Sequence, residues 1–481
     1  MMQTRIAGIN VMRTTLAVLD KKGRNAEQAV TKALNSLERT ESECTKVIAP
    51  KLTGLESDRA GSSVALGSTF LKNEPSLIAI ENGALSFHGR IYSPTFRNPH
   101  IVAIAESVSR EGEQAIEKMI LEFDGDFASI AAKPDKISAV RDPMGAQPLY
   151  YGETPTYAAI GSNRTVLWKL GMQQTFSFPP GNWGVATTAG FKFRPVKTLA
   201  VPRPKHAEMK TAVKVLLEIL ERAVRIRVKD EKEIAVAFSG GLDSSLIACL
   251  ARKCDVDVRL VHASLEGHRE TEEAKKAAEA LNLPLSVHLF KEDDVANIVA
   301  RVVELIEEPD PVKTAIGIPF YWVAQKCSEN GLKVLLAGQG ADELFGGYQR
   351  YSDEYRLKGE EKAKRTMFVD IAGIHESNLE RDQKICSFHN VELRLPFASY
   401  EMAEFATSLP LELKIDPNID PGRKLVLRKA AEEVGLPPWI ASKPKKAVQY
   451  STGVSSTLKK LARRRRITIR EYVGQLFNGR Q

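Results

Sequence analysis

The sequence predicts an α/β protein whose C-terminal part is a doubly wound, mostly parallel sheet, preceded by a mixed sheet-and-helix unit. Three observations carry that expectation. Between Glu233 and Ala337, apolar strand-like runs alternate with amphipathic helical patterns, the order that builds βαβ crossovers. One of those runs turns on two glycines directly into a helix. Across residues 1–200, by contrast, short apolar runs recur between turn signals, the strands of a mixed sheet-and-helix unit.

A chain of 481 residues points to two or three domains, with ample apolar material for their cores. No run approaches the roughly 18–20 apolar residues that a membrane span needs, and the N-terminus lacks a signal-peptide pattern. The five cysteines, at 44, 249, 254, 327 and 386, are scattered and form no CxxC pair. Reduced thiols in a cytoplasmic protein, with no zinc site, are expected.

In the first domain, 1–200, strands are expected at Ser63–Leu66, Ser76–Ile80, Phe127–Ala131, Leu149–Tyr151 and Tyr157–Ile160, and helices near 25–38 and 101–122. Arg194-Pro195 to Pro204 reads as a linker. Beyond it, Met209, Val213, Leu216, Leu217, Leu220 and Val224 mark one face of a helix. Strands are then expected at Glu233–Phe238, Val258–His262, Leu285–His288 and Lys333–Ala337, with helices over 270–281, 293–307 and 318–330.

Ser239-Gly-Gly-Leu-Asp-Ser-Ser245 follows the first of these strands. Glycine lets backbone N–H groups approach an oxygen closely, Ser239, Ser244 and Ser245 add hydroxyl donors, and a helix start favours negative charge. Asp243 would repel a bare phosphate, so a bridging Mg²⁺ is implied. An ordinary strand–turn–helix corner, with Asp243 as cap, would use the same residues. A second Gly-rich stretch, Ala337-Gly-Gln-Gly-Ala-Asp-Glu-Leu-Phe-Gly-Gly-Tyr348, leaves another strand end, so that Asp243 and Asp342 could hold Mg²⁺ on a polyphosphate between them. Val391-Glu-Leu-Arg-Leu-Pro-Phe397 sets a charge pair among apolar residues, a structural feature as readily as a functional one. Lys443-Pro-Lys-Lys446 is a compact cationic cluster that would neutralise phosphate or simply face solvent. No GxGxxG fingerprint and no GxxxxGK[ST] loop occurs, which demotes hydride transfer and P-loop hydrolysis.

These stretches resemble known motifs. SGGLDSS resembles the pyrophosphate loop of the ATP pyrophosphatases, and GQGADELFGGY narrows this to the asparagine synthetase family. Glu392-Leu-Arg-Leu-Pro-Phe397, Lys424-Leu-Val-Leu-Arg428 and Lys443-Pro-Lys-Lys-Ala-Val-Gln-Tyr450 resemble that family's E-[AV]-R-V-P-F, K-x-x-L-R and R-x-K segments, in the same order. The resemblance implies an ATP-pyrophosphatase domain over 207–455, of adenine nucleotide hydrolase-like fold, that activates a carboxylate with ATP and Mg²⁺ and lets an amine displace AMP. It implies nucleotide contacts at Ser239, Gly240, Gly241, Asp243, Ser244 and Ser245. Around the adenine and ribose it implies Ala237, Ala263, Ala337 and Gly338. Asp243 and Asp342 become the Mg²⁺ residues, and Lys445 the cation on the pentavalent α-phosphate. Gln339, Glu392 and Arg394 complete the expected catalytic set.

The first domain resembles the same family's glutaminase, an αββα Ntn-hydrolase-like fold, through Asp124-Gly-Asp-Phe127, Arg141-Asp-Pro-Met-Gly-Ala-Gln-Pro-Leu-Tyr150 and Pro180-Gly181. Its departures are chemical. Thr4-Arg-Ile-Ala-Gly8 stands where the family has C-G-I-A-G, and His88-Gly-Arg90 where it has N-G-E. Without nucleophile or substrate clamp, glutamine hydrolysis is expected to fail. Gln339 replaces the acidic residue of the family's S-G-E-G turn, as the β-lactam-forming relatives also change it. The expected product is therefore asparagine made from aspartate with free ammonia. Another amide from a different carboxylate and amine, or a non-catalytic assembly subunit, are the alternatives.

The net charge is +8, and residues 456–481 carry eight basic side chains (Lys459, Lys460, Arg463 to Arg466, Arg470 and Arg480) against Glu471. This segment is expected as a basic tail. It could track RNA, although solvated basic ends are common, and nothing in the sequence excludes a homodimer.

Overall fold

The structure, a computed structural model, describes residues 13–23, 25–37, 43–50, 62–72, 74–92, 100–201, 207–419, 422–444 and 448–479. The chain divides into two compact units, Met1–Thr198 and Leu199–Gln481.

The first unit holds two antiparallel sheets. One contains β1 (Thr15–Asp20), β2 (Glu43–Ile48), β3 (Val64–Leu71), β8 (Tyr150–Glu153), β9 (Tyr157–Gly161) and β10 (Phe176–Ser177), in the order β10-β8-β9-β1-β3-β2. The other contains β4 (Leu77–Ile80), β5 (Gly83–Ile91), β6 (Gly125–Lys133), β7 (Lys136–Arg141), β11 (Asn182–Thr187) and β12 (Gly190–Pro195), in the order β12-β11-β7-β6-β5-β4. Strand β1 shows how the layers form. Its odd residues Ala17 and Leu19 pack between the sheets, while Leu16 and Val18 meet helix α1 (Ala26–Asn35) on the outer face. Helices α2 (His100–Glu111) and α3 (Glu113–Glu122) cover the second sheet through Ile101, Ile104, Ile116 and Ile120. The result is the expected αββα sandwich.

The expected helix over 101–122 is broken at Gly112, whose φ of 68° leaves the helical region. Arg194-Pro195, expected in a linker, instead ends β12 as an edge strand, where a proline costs no ladder bond. Within the Arg141–Tyr150 stretch, buried Arg141 donates to the carbonyls of Gly145, Gln147 and Phe178, and Asp142 accepts from the amides of Met144, Ala146 and Gln147. That segment is a self-satisfied corner, which accounts for its polar residues without chemistry.

In the second unit, α5 (Met209–Val228) leads into a five-stranded parallel sheet. Its strands are β13 (Glu233–Ala237), β14 (Asp257–Leu265), β15 (Leu285–Phe290), β16 (Val334–Leu336) and β17 (Glu392–Arg394), ordered β15-β14-β13-β16-β17. The crossovers include α6 (Leu242–Arg252), α7 (Arg269–Ala280), α8 (Glu292–Ile306) and α9 (Pro311–Glu329). Helix α9 starts seven residues before the expected 318, because Asp310 accepts from the amides of Val312 and Lys313 and Pro311 fills the first turn. The order reverses between β13 and β16, and a crevice opens there at the strands' carboxyl ends.

Residues 456–479, expected in a basic tail, are folded. Two helices, Val454–Arg464 and Ile469–Asn478, bury Val454, Leu458, Ala462, Tyr472 and Val473, and the first packs on α8 and α9. The described basic residues, Lys459, Lys460, Arg463 to Arg466 and Arg470, are exposed, with Lys460 paired to Glu292 at 2.6 Å. Charge had masked an apolar stripe at helical spacing. Among the described residues, no helix is long and apolar enough to cross a membrane.

Candidate active site

A cavity of about 240 Å³ lies at the β13/β16 reversal. Strand β13 is Ile-Ala-Val at its centre, fully buried, and delivers Ala237, Phe238 and Ser239 to the rim. Gly240, at φ 64°, turns the chain into α6, and a Cβ there would lie 2.8 Å from the Ala274 Cα. The loop is held by weak internal bonds: Ser239 and Ser244 hydroxyls sit 3.3 Å apart, and the Gly241 amide donates to Ser239 Oγ at 3.3 Å. Asp243 stands in the first turn of α6. From β16 the chain passes Ala337, Gly338 and Gln339, turns at Gly340 (φ 95°) and enters α10 (Ala341–Phe345), whose first turn carries Asp342. Gly338 must stay small, since its Cβ would come within 2.9 Å of the Asp243 Cβ.

The two aspartates converge. Lys424 Nζ lies 2.7 Å from both carboxylate oxygens of Asp243 and 2.6 Å from Asp342 Oδ1. Two carboxylates meeting on one cation are a donor set that suits Mg²⁺, which takes one or two carboxylates and leaves its other positions to water and phosphate oxygens. Among the described residues no group of three or more metal-binding side chains occurs, so a resident all-protein metal cage is not what this site offers.

A polar network continues from the second loop. Gln339 Nε2 donates to Asp382 Oδ2 at 2.9 Å, and Arg381 grips Asp382 through two bonds of 2.7 and 2.9 Å. Arg381 also donates to Asn378 Oδ1, Asn378 donates to Glu343 Oε1, and Tyr348 donates to the same oxygen at 2.6 Å. Burial raises the Asp382 carboxyl above its ordinary value, against the pull of Arg381. Burial, then the Glu343 charge, pushes the Tyr348 hydroxyl far up, so it stays a neutral donor. On the first loop's side, His262 donates from Nδ1 to the Phe238 carbonyl at 2.9 Å, which leaves Nε2 to accept from Thr271. Burial lowers its pKa and keeps the ring neutral. Helix α9 contributes an apolar wall: Ile316, Pro319, Phe320 and Val323.

Of the expected nucleotide contacts, Ala237, Ser239, Asp243, Ser244, Ala263, Ala337 and Gly338 line the cavity, as do Gln339 and Asp342. Gly240 and Gly241 shape the loop from behind it, and Ser245 is turned fully into the protein. Glu392 and Arg394 are not brought to the cavity. Arg394, fully buried, binds Glu392, Asp230 and Glu231 at 2.8–2.9 Å, and its guanidinium also donates to the Arg227 carbonyl at the end of α5. This is an ion cluster that ties β17 to the turn before β13. Lys445 lies outside the described residues. Its neighbour Lys443 does reach the first loop, donating to the Gly240 carbonyl at 3.0 Å and pairing with Glu273 at 3.0 Å. Sequence reasoning missed the wall of α9, whose middle is largely buried and shows no amphipathic period. Lys424 was noticed only as a motif letter.

Fold and site together define a nucleotide-binding α/β enzyme joined to an amidotransferase-type sandwich. A family model described as asparagine synthase matches residues 215–363 and 354–475, and one described as glutamine amidotransferase domain matches 101–169. The putative asparagine synthetase (glutamine-hydrolyzing) 1 of Methanocaldococcus jannaschii is 32% identical over 395 residues, covering 72% of this chain and 73% of that protein. Asparagine synthetase (glutamine-hydrolyzing) 2 of Arabidopsis thaliana is 26% identical over 413 residues, covering 81% and 69%. The probable enzyme of that name from Schizosaccharomyces pombe is 28% identical over 349 residues, covering 66% and 61%. The chain belongs to the asparagine synthase family. Members are ligases that use ATP with Mg²⁺, and this chain is one of them.

Proposed function

We propose that this protein makes an amide by adenylating a carboxylate with ATP, and that the amide is asparagine formed from aspartate and free ammonia. The observation that supports it most is the meeting of Asp243 and Asp342 on one cation beside the Ser239–Gly241 loop. Mg²⁺ bound there would neutralise charge on the leaving pyrophosphate. The chain's own residues do the rest. The Ser239 and Ser244 hydroxyls and the loop amides hold phosphate oxygens, Lys443 adds positive charge behind them, and α9 offers apolar surface to a base. Lys445 is proposed as the cation on the α-phosphate.

The first unit supports the ammonia reading. The relatives' names carry "glutamine-hydrolyzing", but here His88 and Arg90 occupy β5 where a glutamine clamp is expected. His88 Nε2 is engaged by the Thr15 hydroxyl, and burial with the nearby Arg13 charge lowers its pKa to about 4. A neutral ring already tied to a hydroxyl network is a poor anchor for a substrate. Thr4 lies outside the described residues.

Gln339 favours a second reading, a ligase for another carboxylate and amine. Its amide nitrogen faces Asp382, so its oxygen is left to accept from an N–H of an incoming amine, and it cannot remove that proton.

The deciding experiment supplies purified protein with ATP, Mg²⁺, aspartate, and either ammonium or ¹⁵N-amide glutamine. AMP and pyrophosphate with labelled asparagine from ammonium alone is the expected result. ADP as product would sink adenylation, and glutamate with ¹⁵N-asparagine would overturn the ammonia reading. AMP formed only with a different acid would establish the second reading.

A further inference from the structure

Lys424 does more than neutralise two acids. Its side chain is only 4% exposed, and its Nζ is shared between Asp243 at 2.7 Å and Asp342 at 2.6 Å. The chain around it is shaped for that position. Lys424 itself sits at φ 58°, a left-handed conformation that costs a non-glycine residue energy. Gly347 lies against the pair, where a Cβ would come within 1.9 Å of Asp342 Oδ1 and 2.4 Å of Lys424 Cε. Arg423 pins the Gly347 carbonyl at 2.6 Å. Three separate segments thus converge to put an ammonium where the metal's carboxylates meet.

For a free divalent cation, this arrangement is a barrier. Mg²⁺ gives up water reluctantly and needs oxygen ligands near 2.0–2.1 Å. Entering alone, it would have to expel a buried ammonium from both carboxylates and leave that charge without a partner, which is strongly unfavourable. A polyphosphate changes the balance, because its oxygens both complete the metal's shell and receive the displaced ammonium. We propose that Lys424 is a resident counter-ion that closes the Asp243–Asp342 site to free divalent metal and yields it only to metal arriving with a polyphosphate. The proposal rests on reading Asp243 and Asp342 as the metal residues.

The test is Mn²⁺ binding to the full chain, followed by electron paramagnetic resonance. Wild-type protein without nucleotide should leave added Mn²⁺ free, and should show a protein-bound Mn²⁺ spectrum once α,β-methylene-ATP is present. Lys424→Met, similar in length and uncharged, should bind Mn²⁺ without nucleotide at least tenfold more tightly than wild type. Adding Asp342→Asn to that variant should remove the gain. Nucleotide-free wild type binding Mn²⁺ as tightly as Lys424→Met would overturn the proposal, as would a gain that survives Asp342→Asn. Wild type that shows no protein-bound Mn²⁺ even with the nucleotide would instead defeat the metal assignment itself. Should Lys424→Met not fold, the wild-type pair of measurements decides alone: tight binding without nucleotide refutes the gate, and binding only with nucleotide supports it.

Discussion

Gly347 has no room for a side chain, since its Cβ would overlap both members of the Asp342–Lys424 pair. Gly347→Ala should therefore cut kcat/KM for ATP by at least about thirtyfold, equivalent to ~2 kcal/mol, while leaving the far-ultraviolet circular dichroism unchanged. Turnover near the wild-type value would show that the pair can part without cost. Asp382 makes the complementary point. It is fully buried and holds Arg381 by two bonds while fixing the Gln339 amide. Asp382→Asn leaves a buried guanidinium without its carboxylate, a loss of about 3–5 kcal/mol by analogy with other broken buried pairs. Thermal melting should show it as a clear fall in Tm, and a Tm within a degree of wild type would remove Asp382 from the supporting network.

At the scale of elements, the C-terminal helices carry the sharpest expectation. Leu458 is fully buried where Val454–Arg464 packs on α8 and α9. Leu458→Ala should cost about 2–5 kcal/mol, measured as a lowered urea midpoint for the second unit. A solvated tail would give no change. The same elements show what a sequence reveals. The βαβ strands were legible because apolar runs alternate with helical patterns, with glycine turns directly after β13 and β16, and α5 because Val213, Leu216, Leu220 and Val224 share one face. Strand β1 was not, since every one of its residues is buried and neither face alternates with water. Strand β17 was missed for another reason: its three residues include Glu392 and Arg394, and pairing with β16 supplies what local propensity lacks. In the site, glycine-rich loops exposed Asp243 and Asp342 early. That Arg394 is structural and Lys424 central depends on which segments meet in space, and no spacing along the chain encodes that.

Over the whole molecule, acid should act through buried histidine. His389 is buried beside Tyr321 and Phe388, and that burial lowers its pKa to about 4. Its folded value lies below its ordinary 6.5, so the unfolded chain takes up a proton that the folded one refuses. Stability from this group is complete above pH ~6.5 and is lost as pH falls toward ~4, at up to about 1.4 kcal/mol per pH unit. Between pH 7 and pH 4.5, wild type should lose roughly 2–3 kcal/mol more unfolding free energy than His389→Gln does. Equal losses in the two proteins would assign the acid limb elsewhere.

The pairing of Asp243 with Lys424 spans 181 residues. A ribosome adding 5–20 residues per second takes ~10–35 s to travel that far. At the start of that interval the nascent chain presents the glycine loop and Asp243 with neither the lysine nor Asp342 yet made, and Asp342 follows about halfway through. Strand β13 can meet β14 at once, across a short crossover, but β16 and β17 arrive much later. The half-made sheet carries an open edge at β13 until β16 is made and pairs with it. Translation speed through the segment between β13 and β16 sets how long that edge must be kept from pairing with a neighbour.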